Sequence, residues 1–407
     1  MRLSLVSVLL PALLIPIVMT YRIGWGDAPF WLFGLIFLGL FAFIFIDVIH
    51  VKERHYYPLK SALLWFLILV TIGSTFIAAI VVRHQTAPIY NIHDIILQLE
   101  AAIRFFLHGI NPYATTYFGT PLEAWNYSPT EVNPALYYFV MEPFYLLFSI
   151  PFYLLSTRTI GYFDGRMPLL FLFLALLWMV SQLIKDKEKR MLAVVLLAFN
   201  PAMFSYVLEG RSDMFMYPFM FASFYLLHKN KIVWSAVLLA LAFAVKQSAW
   251  FLFPFYAAFL YFKYKNVKKT AIALIPFFVT FSIIVLPFLA WNYSAFLEST
   301  VGYLSGSVAH SYPISGYGFG VLMHQFGYIK ELNAYYPFII WQVVVCVSLL
   351  FYFLYLFRKN PSIKMMIIFY GLFLLVYWYF SRYFNNSHIG FLSMVFITGY
   401  FWPEDNK

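Results

Sequence analysis

Residues 134–155 read PALYYFVMEPFYLLFSIPFYLL, and whether they cross a bilayer decides the rest of the map. The run is apolar enough to span, but Pro134, Glu142, Pro143 and Pro151 divide it into pieces. Proline inside a helix removes a backbone hydrogen bond and clashes with the preceding turn. If the run crossed, every later loop would change sides, and the basic stretches 185–190 (KDKEKR) and 263–269 (KYKNVKK) would lie outside. Lys and Arg concentrate in cytoplasmic loops. We therefore read 134–155 as lying in the outer interface, which puts most of the 27 Lys and Arg inside, Lys60 among them.

Composition sets the frame for that choice. The 407 residues are 63% hydrophobic and 11% charged, with a mean hydropathy of +0.79. A soluble domain carries about 25% charged residues, so this chain is expected to be an all-α polytopic membrane protein. The formal charge of +10 is read as topogenic and gives no reason to expect nucleic acid. One cysteine, Cys346, excludes an intramolecular disulfide and a cysteine-based metal site.

Apolar runs fall at 3–21, 29–49, 61–82, 167–184, 191–208, 213–228, 232–245, 248–262, 270–290, 336–357, 364–380 and 388–402. They predict twelve spans in one integral membrane domain, 1–407, with both ends inside and the N-terminal run read as a first span. Residues 1–60 form additional N-terminal spans and 167–290 core spans. Residues 336–407 close the bundle. Two long outer loops, 83–166 and 291–335, lie between spans. In the first, 92–108 has helical periodicity. Ile95, Ile96, Leu99, Ile103 and Phe106 share one arc, while Asp94, Gln98, Glu100, Arg104 and His108 share the other. This predicts a helix lying flat in the interface with its polar side up, ended by Gly109.

The outer side of this map collects unusual residues: Asp94, the hairpin Glu209-Gly210-Arg211-Ser212-Asp213, Lys246, His310 with Tyr312, and Arg382 with Asn385. Charges at membrane depth are costly and point to function. Arg211, Lys246 and Arg382 suit a phosphate, and Asp94, Glu209 and Asp213 suit hydroxyls. Each alone has a plain structural explanation, such as snorkelling to headgroups. Their gathering on one face carries the inference.

The order of these pieces resembles the GT-C superfamily of membrane glycosyltransferases. Within it, the nearest resemblance is to polyprenol-phosphate-mannose-dependent α-mannosyltransferases. The matching residues are the early Asp94, then Gly109, Pro112 and Tyr113, then Tyr127-Ser128-Pro129. They continue with the juxtamembrane 134–155, Arg166 opening a span, Asn200-Pro201 within one, the turn 210–213 and Lys246. Arg211 stands where that pattern has Gln, and the two spans before residue 60 are additional. The resemblance implies an inverting transferase. It would move a hexose, mannose in that family, from a polyprenyl-phosphate donor to a lipid or glycan acceptor at the extracytoplasmic face of the plasma membrane.

Asp94 would be the general base. Lys246, Arg382 and Arg211 would bind phosphate. Glu209, Asp213, Tyr113, Tyr127, His310, Tyr312 and Asn385 would meet sugar or acceptor. No metal or other cofactor is expected. Two other readings remain open in the residues. One is a lipid-linked-glycan transporter or flippase, and the other a ligase or polymerase using polyprenyl-diphosphate glycans. Few ionisable groups fall near the middle of a span, which favours an enzyme over a through-path.

Overall fold

A computed structural model describes residues 3–20, 30–49, 51–126 and 131–404. Tyr127 and the Tyr127-Ser128-Pro129 element lie outside the described residues. The chain is an all-α polytopic membrane protein. Among the described residues, five helices are long and apolar enough to cross a membrane by themselves: Phe30–Val48, Glu53–Gln85, Arg166–Leu183, Val267–Trp291 and Phe338–Lys359. Leu5–Thr20, Ile232–Phe243 and Ile363–Tyr379 are shorter apolar helices. Asp213–His228 and Asn386–Phe401 are single helices of 16 residues, and two other expected spans, 191–208 and 248–262, are built of pieces.

The pieces follow from the sequence. Asn200-Pro201 splits 191–208 into Lys187–Ala198 and Phe204–Glu209. The stretch 248–262 opens as a 3-10 turn, Gln247–Leu252, before Phe253–Tyr264. A 12-residue helix rises about 18 Å, well short of the roughly 30 Å hydrocarbon core. Such breaks are tolerated where protein satisfies the freed backbone groups. At the first break, Asn200 Oδ1 accepts from Ala202 N at 3.0 Å, and Nδ2 donates to Ser393 Oγ at 2.8 Å. At the second, the carbonyls of Ala244 and Val245 accept from Phe144 N at 2.7 Å and Glu142 N at 3.2 Å. The deciding stretch 134–155 thus caps a broken helix. It comprises a 3-10 turn, Pro134–Leu136, an irregular segment, and the helix Pro143–Thr159. Pro151, expected to break it, stays inside that helix.

Two further expectations change. Lys60, read as a cytoplasm-facing charge, is fully buried on Glu53–Gln85 and lies 2.6 Å from Asp47 Oδ1. Its ammonium also donates to Ser4 Oγ and Ser7 Oγ, while Ser4 N and Tyr56 Oη bond the Asp47 carboxylate. Buried charge persists where partners saturate it, and this set ties the three N-terminal helices together.

The helix expected over 92–108 forms as Asp94–Leu107, and Gly109 follows it with φ +75°. Its polar side is covered, however: Asp94, Gln98 and Glu100 are all buried. Gln98 Nε2 donates to the carbonyls of Ala135 and Tyr138. Glu100 pairs with Arg83 through two contacts, at 2.8 and 2.9 Å. Arg83 also reaches Asp164 at 2.8 Å, and Arg166 grips Asp164 in turn, at 2.9 and 2.8 Å. This buried charge knot bolts the helix to the span before it and to the start of Arg166–Leu183. Arg166, matched above as the residue opening that span, is fully buried in it.

Candidate active site

Six chain segments meet at one cavity beside the start of helix Asp94–Leu107. It encloses about 740 Å³ up to its open mouth, within the range of small-molecule sites. Asp94, Arg211, Asp213, Lys246, Tyr312 and Asn385 line it, joined by His93, Gln98, Gln247, Tyr303, Tyr383 and His388.

Asp94 sits in the first turn, where the helix dipole favours a carboxylate. Its Oδ1 lies 2.6 Å from His93 Nδ1, and its Oδ2 accepts from Asn133 Nδ2 at 3.3 Å. His93 Nδ1 is also 3.3 Å from Ile95 N. One nitrogen cannot donate and accept through the same position, and the shorter contact requires a proton between Nδ1 and the carboxylate. His93 therefore orients the acid.

The hairpin carrying Arg211 and Asp213 is pinned to this helix by His93 N donating to Glu209 O at 2.9 Å. Gly210 has φ +94°, and a Cβ there would overlap the Ile96 side chain, so only glycine allows this approach. Arg211 is three-quarters buried, and its Nε has no hydrogen-bond partner among the described residues; Glu209 lies 3.7 Å away. Lys246 Nζ is 2.8 Å from Asp213 Oδ1, close enough to neutralise it though poorly aligned for a hydrogen bond.

Gln247 organises the neighbouring wall. Its Nε2 sits 3.1 Å from the oxygens of Val140 O, Glu142 Oε1 and Thr300 O, linking the stretch 83–166 to the stretch 291–335. Burial pushes the Glu142 carboxyl up to about 8, a rise the Gln247 contact only partly offsets. Its Oε2 lacks a partner among the described residues. Between about pH 4.5 and 8 the folded protein holds a proton that the unfolded chain has released, so stability falls as pH rises. Glu142→Gln is therefore expected to stabilise the fold at pH 8 by at most a few kcal/mol, read as a higher thermal midpoint, and to leave the midpoint nearly unchanged at pH 5. A midpoint gain equal at both pH values would show that this carboxyl is not held neutral.

His388 caps the far side. Asn385 N donates to its Nδ1 at 2.9 Å, so the neutral ring carries its proton on Nε2. This is a reciprocal cap at the start of Asn386–Phe401. A parallel pairing of Ser315–Gly316 with Tyr383–Phe384, two residues a side, ties the stretch 291–335 to this corner.

Other expected site residues fall elsewhere. The Arg382 guanidinium is not at the cavity; it is 2% exposed and donates to the carbonyls of Tyr312, Ala334, Leu332 and Asn333. Five N–H donors in a rigid fork suit gathering a loop as well as gripping a phosphate. Tyr113 is buried, its hydroxyl donating to Met141 O at 2.8 Å. Glu209 is more than a third exposed and outside the lining. His310 stacks on Tyr137 at 3.9 Å in a different cavity. Sequence reasoning passed over His93, Gln247 and His388. The last had a signal: His at the third helical position after Asn385 can return the cap.

Among the described residues, no three His, Cys, Asp or Glu side chains gather as a metal site. The sequence matches glycosyltransferase family 87 over residues 139–378. No curated protein and no solved structure matches it.

Proposed function

The chain belongs to glycosyltransferase family 87, a GT-C-type family of membrane glycosyltransferases. From that premise we propose that it moves a hexose from a polyprenyl-phosphate donor to a hydroxyl of a lipid or glycan acceptor, with inversion, at the extracytoplasmic face. The observation that carries this reading is the meeting of Asp94 with Arg211 and Lys246 in one cavity. A hydroxyl nucleophile needs a proton acceptor, and a departing phosphate needs positive charge.

Asp94 takes the acceptor proton as the oxygen bonds to the anomeric carbon. A carboxylate is too weak a base to ionise a sugar hydroxyl beforehand, so transfer accompanies attack. The bond from the anomeric carbon to phosphate oxygen breaks, and its electron pair leaves with the phosphate. Arg211 meets that charge with its guanidinium, Lys246 with its ammonium and His388 with Nε2–H. A double displacement would need a second carboxylate as nucleophile. The other carboxylate in the cavity, Asp213, is paired with Lys246. That pairing favours one displacement, with a β-linked donor giving an α-linked product. Mannose is the sugar we propose, on the order of motifs that includes Asp94, Asn200-Pro201 and Lys246.

Purified protein supplied with β-linked polyprenyl-phosphate mannose and glycolipid acceptors should release polyprenyl phosphate and form an α-linked product, with or without chelator. Lys246→Ala should lower kcat by about 10²–10³-fold, as loss of a preorganised charge does. A β-linked product would refute the single displacement. Turnover with diphosphate-linked donors alone would refute the monophosphate.

A further inference from the structure

A second cavity lies against the first, on the other side of a thin wall. It encloses about 1270 Å³ up to its mouth and is bounded by residues 131, 132, 134, 137, 306–311, 313, 333 and 335. The wall is two strips of chain whose neighbouring residues face opposite ways. Pro134 and Tyr137 face the outer cavity while Ala135 faces the inner one. Likewise Ser311 and Pro313 face out and Tyr312 faces in. Tyr138 joins the strips, its hydroxyl donating to Ala309 O at 2.8 Å and its ring 5.6 Å from that of Tyr303, in the inner cavity. The outer cavity therefore lies one residue-layer from the inner one, and each is open at a mouth.

The lining selects the chemistry. Tyr137 and His310 form a parallel ring stack, tilted 6°, and Tyr335 is 61% exposed. Ser307, Ser311 and Asn333 add uncharged donors and acceptors. Among the described lining residues there is no Lys or Arg, and the one acid is Glu131. A phosphate headgroup would find no cation there, and Val132, Pro134, Val308 and Pro313 add apolar surface beside the polar groups. Flat aromatic faces beside neutral hydrogen-bonding groups suit sugar rings, whose C–H faces pack on aromatics while their hydroxyls bond alongside.

We propose that this outer cavity binds the non-reacting sugars of the acceptor, so that the acceptor class is a glycan of several residues. The inference rests on the transferase reading above but makes a claim about binding alone. His310, expected among the sugar contacts, takes that part here.

The test uses the full-length protein in a detergent without a sugar headgroup. Saturation-transfer NMR would be recorded with mannotriose, maltotriose and galactotriose as probes. At least one trisaccharide is expected to bind the wild type and the Asp94→Asn protein alike. Tyr335→Ala is expected to weaken it about three- to tenfold, as loss of one aromatic contact does. Tyr335 is exposed, so the variant should fold, and an unchanged thermal midpoint would verify this. His310→Ala provides a second probe of the same wall. No binding by any trisaccharide, or binding that both variants leave intact, would overturn the proposal. Lipid-linked turnover without trisaccharide binding would remove this inference and leave the transferase reading standing. Binding without turnover would do the reverse.

Discussion

Asp94→Asn is expected to reduce kcat by about 10²–10⁴-fold, the usual worth of a positioned general base. The amide keeps the shape and can still accept from Asn133 or meet His93, so donor and acceptor should bind nearly as before. Only the proton's destination is lost. KM values should therefore move little while kcat falls, the pattern of an interaction made mainly in the transition state. Wild-type activity in the Asn variant would remove Asp94 from the reaction. A large rise in KM with kcat unchanged would recast it as a binding group. His93→Ala provides the companion measurement. It frees Asp94 from its 2.6 Å partner without removing the base, and is expected to cost less than Asp94→Asn.

The second large effect is on stability. Arg83→Met is expected to cost about 3–5 kcal/mol, read as a lower thermal midpoint in detergent, because it strands the buried Glu100 carboxylate. Asp164 would keep Arg166, 2.8 Å away. The double variant Arg83→Met with Glu100→Gln should therefore recover most of the loss, since both buried charges then leave together. Equal midpoints for the single and double variants would show that the knot's value lies in packing instead. Activity should fall with the single variant beyond what unfolding explains, since the knot holds the helix that presents Asp94.

The long apolar runs and the proline-broken 134–155 were legible because hydropathy and proline act locally. The gathering of Asp94, Arg211 and Lys246 in one cavity was expected from charged residues at the ends of apolar runs. What periodicity could not show was cover. The polar arc of 92–108 has the pattern of a solvent-facing side, yet Glu100 and Gln98 are met by Arg83 and by the carbonyls of Ala135 and Tyr138. Those partners come from elsewhere in the chain. Arg382 misled for a related reason: four carbonyl acceptors from 312 and 332–334 leave no trace in composition. Lys60 counted as a topogenic charge because its neutralising Asp47 lies in another helix.

The break at Asn200-Pro201 bears on how the protein is made. The Asn200 amide finds its acceptor in Ser393, 193 residues later in the chain. A ribosome delivers the half-height pieces long before that hydroxyl exists. Until the last helix arrives, this region holds an unsated polar group in an oily setting, a natural place for assembly factors to act. Chains stopped before residue 386 should be cleared by quality control even though every residue proposed to react, save His388, has already been synthesised.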